Sequence, residues 1–332
     1  MNYYDYIFIG SSISCLLAST TINYEKKILI IEKDNYLGGA WRIDSDKYKD
    51  TDLVGHLIVP TNDIVGDKII NYFKNINLEL NYIDKKDFVF ETENYRSNDK
   101  SGTPIIAKYG WSDFFNKILF FVKSFENITV IKNTEITKIN YTKNNIILNC
   151  NNNSKFICDK VIIPMYCNIT KIFYNNTYID IPYETIINKN VLLDISFQNK
   201  LKITKNYQAF LDKQPIGVFD RVTVSKLYSN NCILSCRISK NYKHLQKIEL
   251  EKLFFPFLKE KKILNESCKI NDIYYHNYDC SYRDANINRK LLNDCYNTLN
   301  KYNNNNNRIN VLNTIYMGHF LENFIENTLN IM

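Results

Sequence analysis

The chain has 332 residues and a formal charge of +7, enough length to bury a core without disulfide staples. Lys and Asp/Glu alternate through most segments, which argues against a nucleic-acid groove and leaves only a mild bias toward anionic ligands. No window reaches the roughly 18 uninterrupted apolar residues of a membrane span, and the opening MNYYDYIFIGSSIS lacks a basic-then-apolar leader, so the expectation is a cytoplasmic protein without stable membrane insertion.

In chain order, residues 4–9 form an aromatic and β-branched run that Gly10 breaks, and Ile13, Leu16 and Leu17 then begin a helical spacing. Residues 27–31 read as a second strand ending on Glu32, before a loop with Gly38 and Gly39, so the unit is βαβ and calls for a parallel sheet. Helical periodicity follows over 63–80 and 111–125, separated by an irregular polar stretch. Residues 128–131, 136–141 and 146–150 read as strands, and 159–164 as a buried strand stopped by Pro164. From 191 to 239 strand-like runs alternate with polar turns, 249–257 reads as a helix, and strand (311–316), Gly318 and helix (321–329) close the chain. The asparagine runs at 151–153 and 303–307 read as polar loops.

A dinucleotide site needs a tight turn that aims a helix N-terminus at a pyrophosphate, and an acid ending the next strand to hold a ribose. Gly10 and Glu32 stand 22 residues apart in those places, with Lys33 beside the acid. The GxGxxG pattern is degraded: Ser12 and Cys15 replace its second and third glycines, although Ser11 and Ser12 are small and the Ser12 hydroxyl can donate to a phosphate. An ordinary βαβ unit in which Gly10 merely ends a strand is the bland alternative. Against it, Leu37-Gly38-Gly39-Ala40-Trp41-Arg42 adds two flexible backbone positions and a guanidinium, which together can neutralise a pyrophosphate.

IGSSISC followed by IIEKDNYLGGAWR resembles the opening of the FAD-binding amine oxidase superfamily, which includes protoporphyrinogen oxidases and UDP-galactopyranose mutases. KYGWSDFFNKIL, NTEITKINY, CDKVIIPMYCN and NTIYMGHFLENFIENTL resemble later family segments in the family's order. The resemblance implies an α/β, Rossmann-like FAD/NAD(P)-binding fold with a parallel sheet and an interwoven second sheet. It implies FAD held by Gly10, Ser11, Ser12, Glu32, Lys33, Gly39, Ala40, Trp41 and Arg42, with Ile136 on the adenine side and Gly318 beside the flavin. The family's acid next to that last glycine is missing here, where the neighbours are Met317 and His319.

The implied boundaries are an FAD-binding βαβ part at 1–80, a helical insertion at 81–125, a meander and returning strand at 126–170, a substrate subdomain at 171–305 and a closing strand and helix at 306–332. The segment GHLIVPTND, residues 55–63, is similar to a flavin-approaching stretch of the mutases, making His56 a candidate catalytic contact. A histidine bonded within its loop is the alternative. Arg221, Tyr278 and Arg283 are candidate substrate contacts; an aromatic strand and a structural ion pair are the competing readings.

The nine glycines leave no second GxGxxG, so no separate pyridine-nucleotide domain is expected. Nine cysteines without a CxxC or histidines at zinc spacing read as reduced thiols and not as a metal site. Cys232 and Cys236 sit on one face of a strand as small hydrophobes. The expected activity is oxidation of a small molecule by hydride transfer to FAD. The rivals are a mutase-like flavin-dependent isomerase and a flavin-binding protein without turnover.

Overall fold

The structure is a computed structural model. It describes residues 2–39, 46–48, 51, 58, 60, 62–83, 88–90, 102–142, 145–164, 171–174, 177–180, 187–198, 203, 209–211, 217–279, 297 and 308–312. The elements run β1 (Asn2–Ile9), α1 (Ile13–Thr20), β2 (Ile28–Ile31), α2 (Asp63–Asn75), β3 (Leu80–Tyr82), β4 (Phe88–Phe90), β5 (Ile105–Ala107), α3 (Trp111–Lys123), β6 (Ile128–Ile131), β7 (Ile136–Tyr141) and β8 (Ile146–Cys150). There follow β9 (Lys155–Pro164), β10 (Lys171–Tyr174), β11 (Thr177–Asp180), β12 (Ile187–Ser196), β13 (Ala209–Leu211), β14 (Phe219–Leu227), β15 (Asn231–Ile238), α4 (Lys247–Glu260), β16 (Lys269–Asp279) and β17 (Ile309–Leu312). The chain passes between two compact units, one made of Met1–Arg42, Phe114–Ile186 and Cys280–Met332, the other of Ile43–Asp113 and Ile187–Asp279.

The first unit is built on a nine-stranded sheet in the order β11-β10-β7-β8-β9-β1-β2-β6, with β17 also pairing β9. Strands β17, β9, β1, β2 and β6 run parallel. The ten-residue β9 joins the parallel sheet to the antiparallel meander. One edge follows β1 from Phe156 to Ile162, while the other takes β8 at Lys155–Cys158 and β17 at Val161–Pro164. Burial on both faces explains its apolar run, in which Val161, Ile162 and Ile163 are fully buried. Helix α1 is likewise buried from Ile13 to Ser19, as a crossover helix laid on a parallel sheet must be.

The second unit holds a six-stranded sheet, β16-β12-β15-β14-β13-β4, and the β3–β5 pair. One sheet face packs against α4: Val191, Leu193, Val222, Val224, Leu234 and Cys236 meet Leu250, Phe254, Phe257 and Leu258. The alternation of these residues with polar ones gives the strands their period of two. The other face carries a smaller cluster of Tyr48, Leu192 and Ile233 with Tyr274 against it.

The fold class read from the sequence, a Rossmann-like parallel sheet with an interwoven second sheet, is the one observed. Strands 128–131, 136–141 and 146–150 match to the residue. The helix expected over 63–80 stops at Asn75, because Asn77 takes a left-handed φ of 59° and Leu80 begins β3. Residues 81–125, read as a helical insertion, also hold the short strands β4 and β5, which draw their order from distant partners. Among the described residues no helix is long and apolar enough to cross a membrane, and no group of His, Cys, Asp and Glu is placed to hold a metal ion.

Candidate dinucleotide-binding site

The β1–α1 turn is fixed by Gly10, whose φ of 82° suits glycine and whose N–H donates to Ile31 O at 2.7 Å. Ser12 caps α1, its hydroxyl accepting the Cys15 N–H at 3.3 Å. No acceptor among the described residues takes the N–H of Ser12, Ile13 or Ser14, and the first turn contains no acid. The helix therefore begins with open donors and an uncompensated dipole, the arrangement that attracts a phosphate oxyanion. The Ser12 oxygen serves the cap while its proton stays available to an acceptor. Cys15 is fully buried, its thiol 3.8 Å from Ile9 O.

Glu32 ends β2 with its backbone tied on both sides: its N–H donates to Ile131 O at 2.8 Å and its carbonyl accepts from Thr134 N–H at 3.0 Å. The side chain is only 7% exposed, so its charge needs donors. Oε2 accepts from Ser11 N at 2.9 Å and from the Ser11 hydroxyl at 2.6 Å, and Oε1 accepts from Asp34 N at 3.0 Å. Ser11 Oγ in turn accepts the Gly38 N–H at 2.9 Å. One hydroxyl thus joins the β1–α1 turn, the end of β2 and the following loop. Each carboxylate oxygen accommodates two donors; Oε2 is filled, and Oε1 retains capacity for one hydroxyl of a ligand.

Gly38 has φ 100°, and a Cβ there would stand 2.1 Å from Cζ of the buried Phe115 on α3. The loop can lie this close to the helix only because the position has no side chain. Gly39, φ 53°, faces open space and is exposed. Lys33 is also exposed. Ile136 is buried at the head of β7, opposite Cys150 and next to a register shift before Lys138. Among the predicted contacts, Gly10, Ser11, Ser12, Glu32, Lys33 and Gly39 share one turn-and-loop region, and Thr134, on the approach to Ile136, is bonded to the Glu32 backbone.

Arg221 lies on β14 with its Nε 3.4 Å from Thr223 Oγ1. Asp220 Oδ1 and Arg237 Nε form an ion pair at 2.5 Å on β14 and β15. Tyr278 is placed by its backbone opposite Asn188. His56, Ala40, Trp41, Arg42, Arg283 and Gly318 lie outside the described residues. Sequence reasoning gave the anion-binding hydroxyl to Ser12 and missed the bridging one of Ser11, as well as the contributions of Asp34, Thr134 and Phe115. Only the small size of Ser11 hinted at its position; the other three emerge from tertiary contacts.

No protein-family model and no curated protein matches the sequence. Solved structures do. A reduced UDP-galactopyranose mutase superposes with a TM-score of 0.72 at 11% identity, covering 99% of this chain and 93% of the mutase. The chain has the fold of FAD-binding, amine-oxidase-like flavoproteins. A redesigned putrescine oxidase variant gives 0.63 at 8% identity over 99% and 98% of the two chains. A protein assigned as a protoporphyrinogen oxidase from Exiguobacterium gives 0.62 at 10% identity over 99% and 97%. These full-length superpositions extend the likeness beyond the βαβ unit to both sheets.

Proposed function

We propose that the chain is an FAD-dependent oxidoreductase that oxidises a small molecule by hydride transfer to flavin. The observation that carries this reading is the Gly10–Ser11–Glu32–Gly38 network beside a helix start with open donors. The fit is chemical: the first-turn amides of α1 suit a pyrophosphate, and Glu32 Oε1 has room for a ribose hydroxyl. Gly39, Ala40, Trp41 and Arg42 complete the phosphate contacts in this proposal, Ile136 flanks the adenine, and Gly318 approaches the flavin. His56 is the proposed catalytic contact, with Arg221, Tyr278 and Arg283 toward the substrate.

When bound, FAD supplies the hydride-accepting chemistry. The protein's part is to orient the cofactor and to exclude water, with the Ser11 hydroxyl holding Glu32 in a single rotamer. The GHLIVPTND segment favours one second reading, a flavin-dependent isomerase acting on a nucleotide sugar. The redox state required for turnover separates the two. The oxidoreductase reading expects protein purified with non-covalent FAD whose colour is bleached anaerobically by substrate and restored by oxygen or an added acceptor. Turnover of a UDP-sugar by dithionite-reduced protein without consumption of reductant would establish the isomerase instead, and protein that gains no flavin absorbance with FAD would overturn both.

A further inference from the structure

The chemistry of its partners fixes the direction of the Ser11 hydroxyl. An ionised carboxylate only accepts hydrogen bonds and a backbone N–H only donates them. The hydroxyl lies 2.6 Å from Glu32 Oε2 and 2.9 Å from Gly38 N, so its single proton goes to Oε2 while its oxygen receives the Gly38 N–H. The Ser11 N–H donates to the same carboxylate oxygen at 2.9 Å. Both donors belong to one residue that is 1% exposed. The loop that completes the network is backed against α3, where a Cβ on Gly38 would stand 2.1 Å from Phe115, so this arrangement has little room to shift for a ligand.

A carboxylate oxygen offers two lone-pair sites. Oε2 is therefore saturated from within the fold. Oε1 has the Asp34 N–H at 3.0 Å and one site open. The count bears on how a ribose can be held: its adjacent 2′ and 3′ hydroxyls can reach the two oxygens of an unencumbered carboxylate together, but here one of those oxygens is closed. The backbone N–H of the turn closes half of it, and a residue of any kind at position 11 other than proline would supply that donor. The other half is closed by the serine hydroxyl alone.

We propose that Ser11 sets the ribose specificity of this site by limiting Glu32 to one hydroxyl of the adenosine ribose, so that either the 2′ or the 3′ hydroxyl is held and the other is dispensable. This deepens the flavoprotein reading and rests on it for the adenosine; what it adds is the residue that decides how the ribose is held.

Calorimetric titration of the full-length protein, freed of any bound flavin, with ADP, 2′-deoxy-ADP and 3′-deoxy-ADP tests the proposal, and FAD uptake is followed in parallel by absorbance. One deoxy nucleotide should bind within about twofold of ADP and the other roughly tenfold or more weaker, the loss of one hydrogen bond to a charged group. Glu32→Ala should bring the weaker analogue level with ADP. Ser11→Ala, which reopens a site on Oε2, should make the tolerated analogue about threefold or more weaker than ADP. A serine that only supported the fold would shift all three nucleotides together. Circular dichroism checks that the variants are folded, and the wild-type ranking decides the matter even where one is not. The proposal is overturned if both deoxy analogues lose equally in the wild type, if neither loses, or if folded Ser11→Ala keeps the wild-type ranking. Any of these results in protein that takes up FAD rejects the ribose assignment alone. Protein that ranks the nucleotides as expected but takes up no FAD upholds the ribose assignment and rejects the flavin reading alone. Protein that binds neither ADP nor FAD rejects both.

Discussion

Replacing Gly38 by Ala tests whether the loop after β2 is held by close approach to α3. The new Cβ would lie 2.1 Å from Phe115 Cζ and 2.7 Å from both Cε atoms. Ordinary carbon contacts need about 3.5 Å or more, so the ring or the loop must move by roughly 1.5 Å. Phe115 is 3% exposed among other buried side chains of α3, so the ring has little room to retreat. Overpacking of this kind costs about 1–3 kcal/mol, and placing an L residue at positive φ adds about 1–2 kcal/mol. The expected loss is about 2–5 kcal/mol in urea unfolding followed by far-ultraviolet circular dichroism. Phe115→Leu removes the clashing outer ring atoms but leaves the backbone strain. Gly38→Ala/Phe115→Leu should therefore be about 1–3 kcal/mol more stable than the two single effects added together. Additivity within about 0.5 kcal/mol would refute the close approach as the reason for glycine at this position.

Ser11→Ala removes the donor to Glu32 and the acceptor for Gly38 N–H; it should cost about 1–3 kcal/mol of stability. Together with Glu32→Ala, it should weaken FAD more than FMN, measured by fluorescence titration, because FMN lacks the adenosine ribose. Equal losses for both cofactors would show that Glu32 faces something else. The buried thiol of Cys232 is pushed up to about 12, chiefly by burial, and that of the fully buried Cys236 is raised too. Both should resist alkylation in the native protein at neutral pH. Because the folded values lie above those of the unfolded chain, the associated stability is fully present below the ordinary thiol value of 9.0 and falls as pH rises from there toward the folded value. Stability that increases over that alkaline range in wild type, relative to Cys232→Ala, would contradict the sign.

Much of the first unit was legible because its signals are local. Gly10 between a β-branched run and a helical spacing, with Glu32 after the next apolar strand, specifies strand, turn, helix and strand from steric and periodic constraints within about 30 residues. The meander strands were equally readable because apolar and turn residues alternate within each hairpin. The short strands at 88–90 and 105–107 were not, since three residues carry no period and are ordered by pairing with other segments, β13 for the first and β3 and Ile58 for the second. The site divided in the same way. The sequence by itself placed an acid at the end of β2 and glycines in the following loop. Only tertiary structure decided that Ser11 would saturate one oxygen of that acid, that Phe115 would exclude a side chain at residue 38, and that Arg221 and Arg237, separated by a hairpin, would stand opposite each other. Hydrogen bonds, packing and cross-strand register depend on which distant segments meet, and no local window of the chain encodes that meeting.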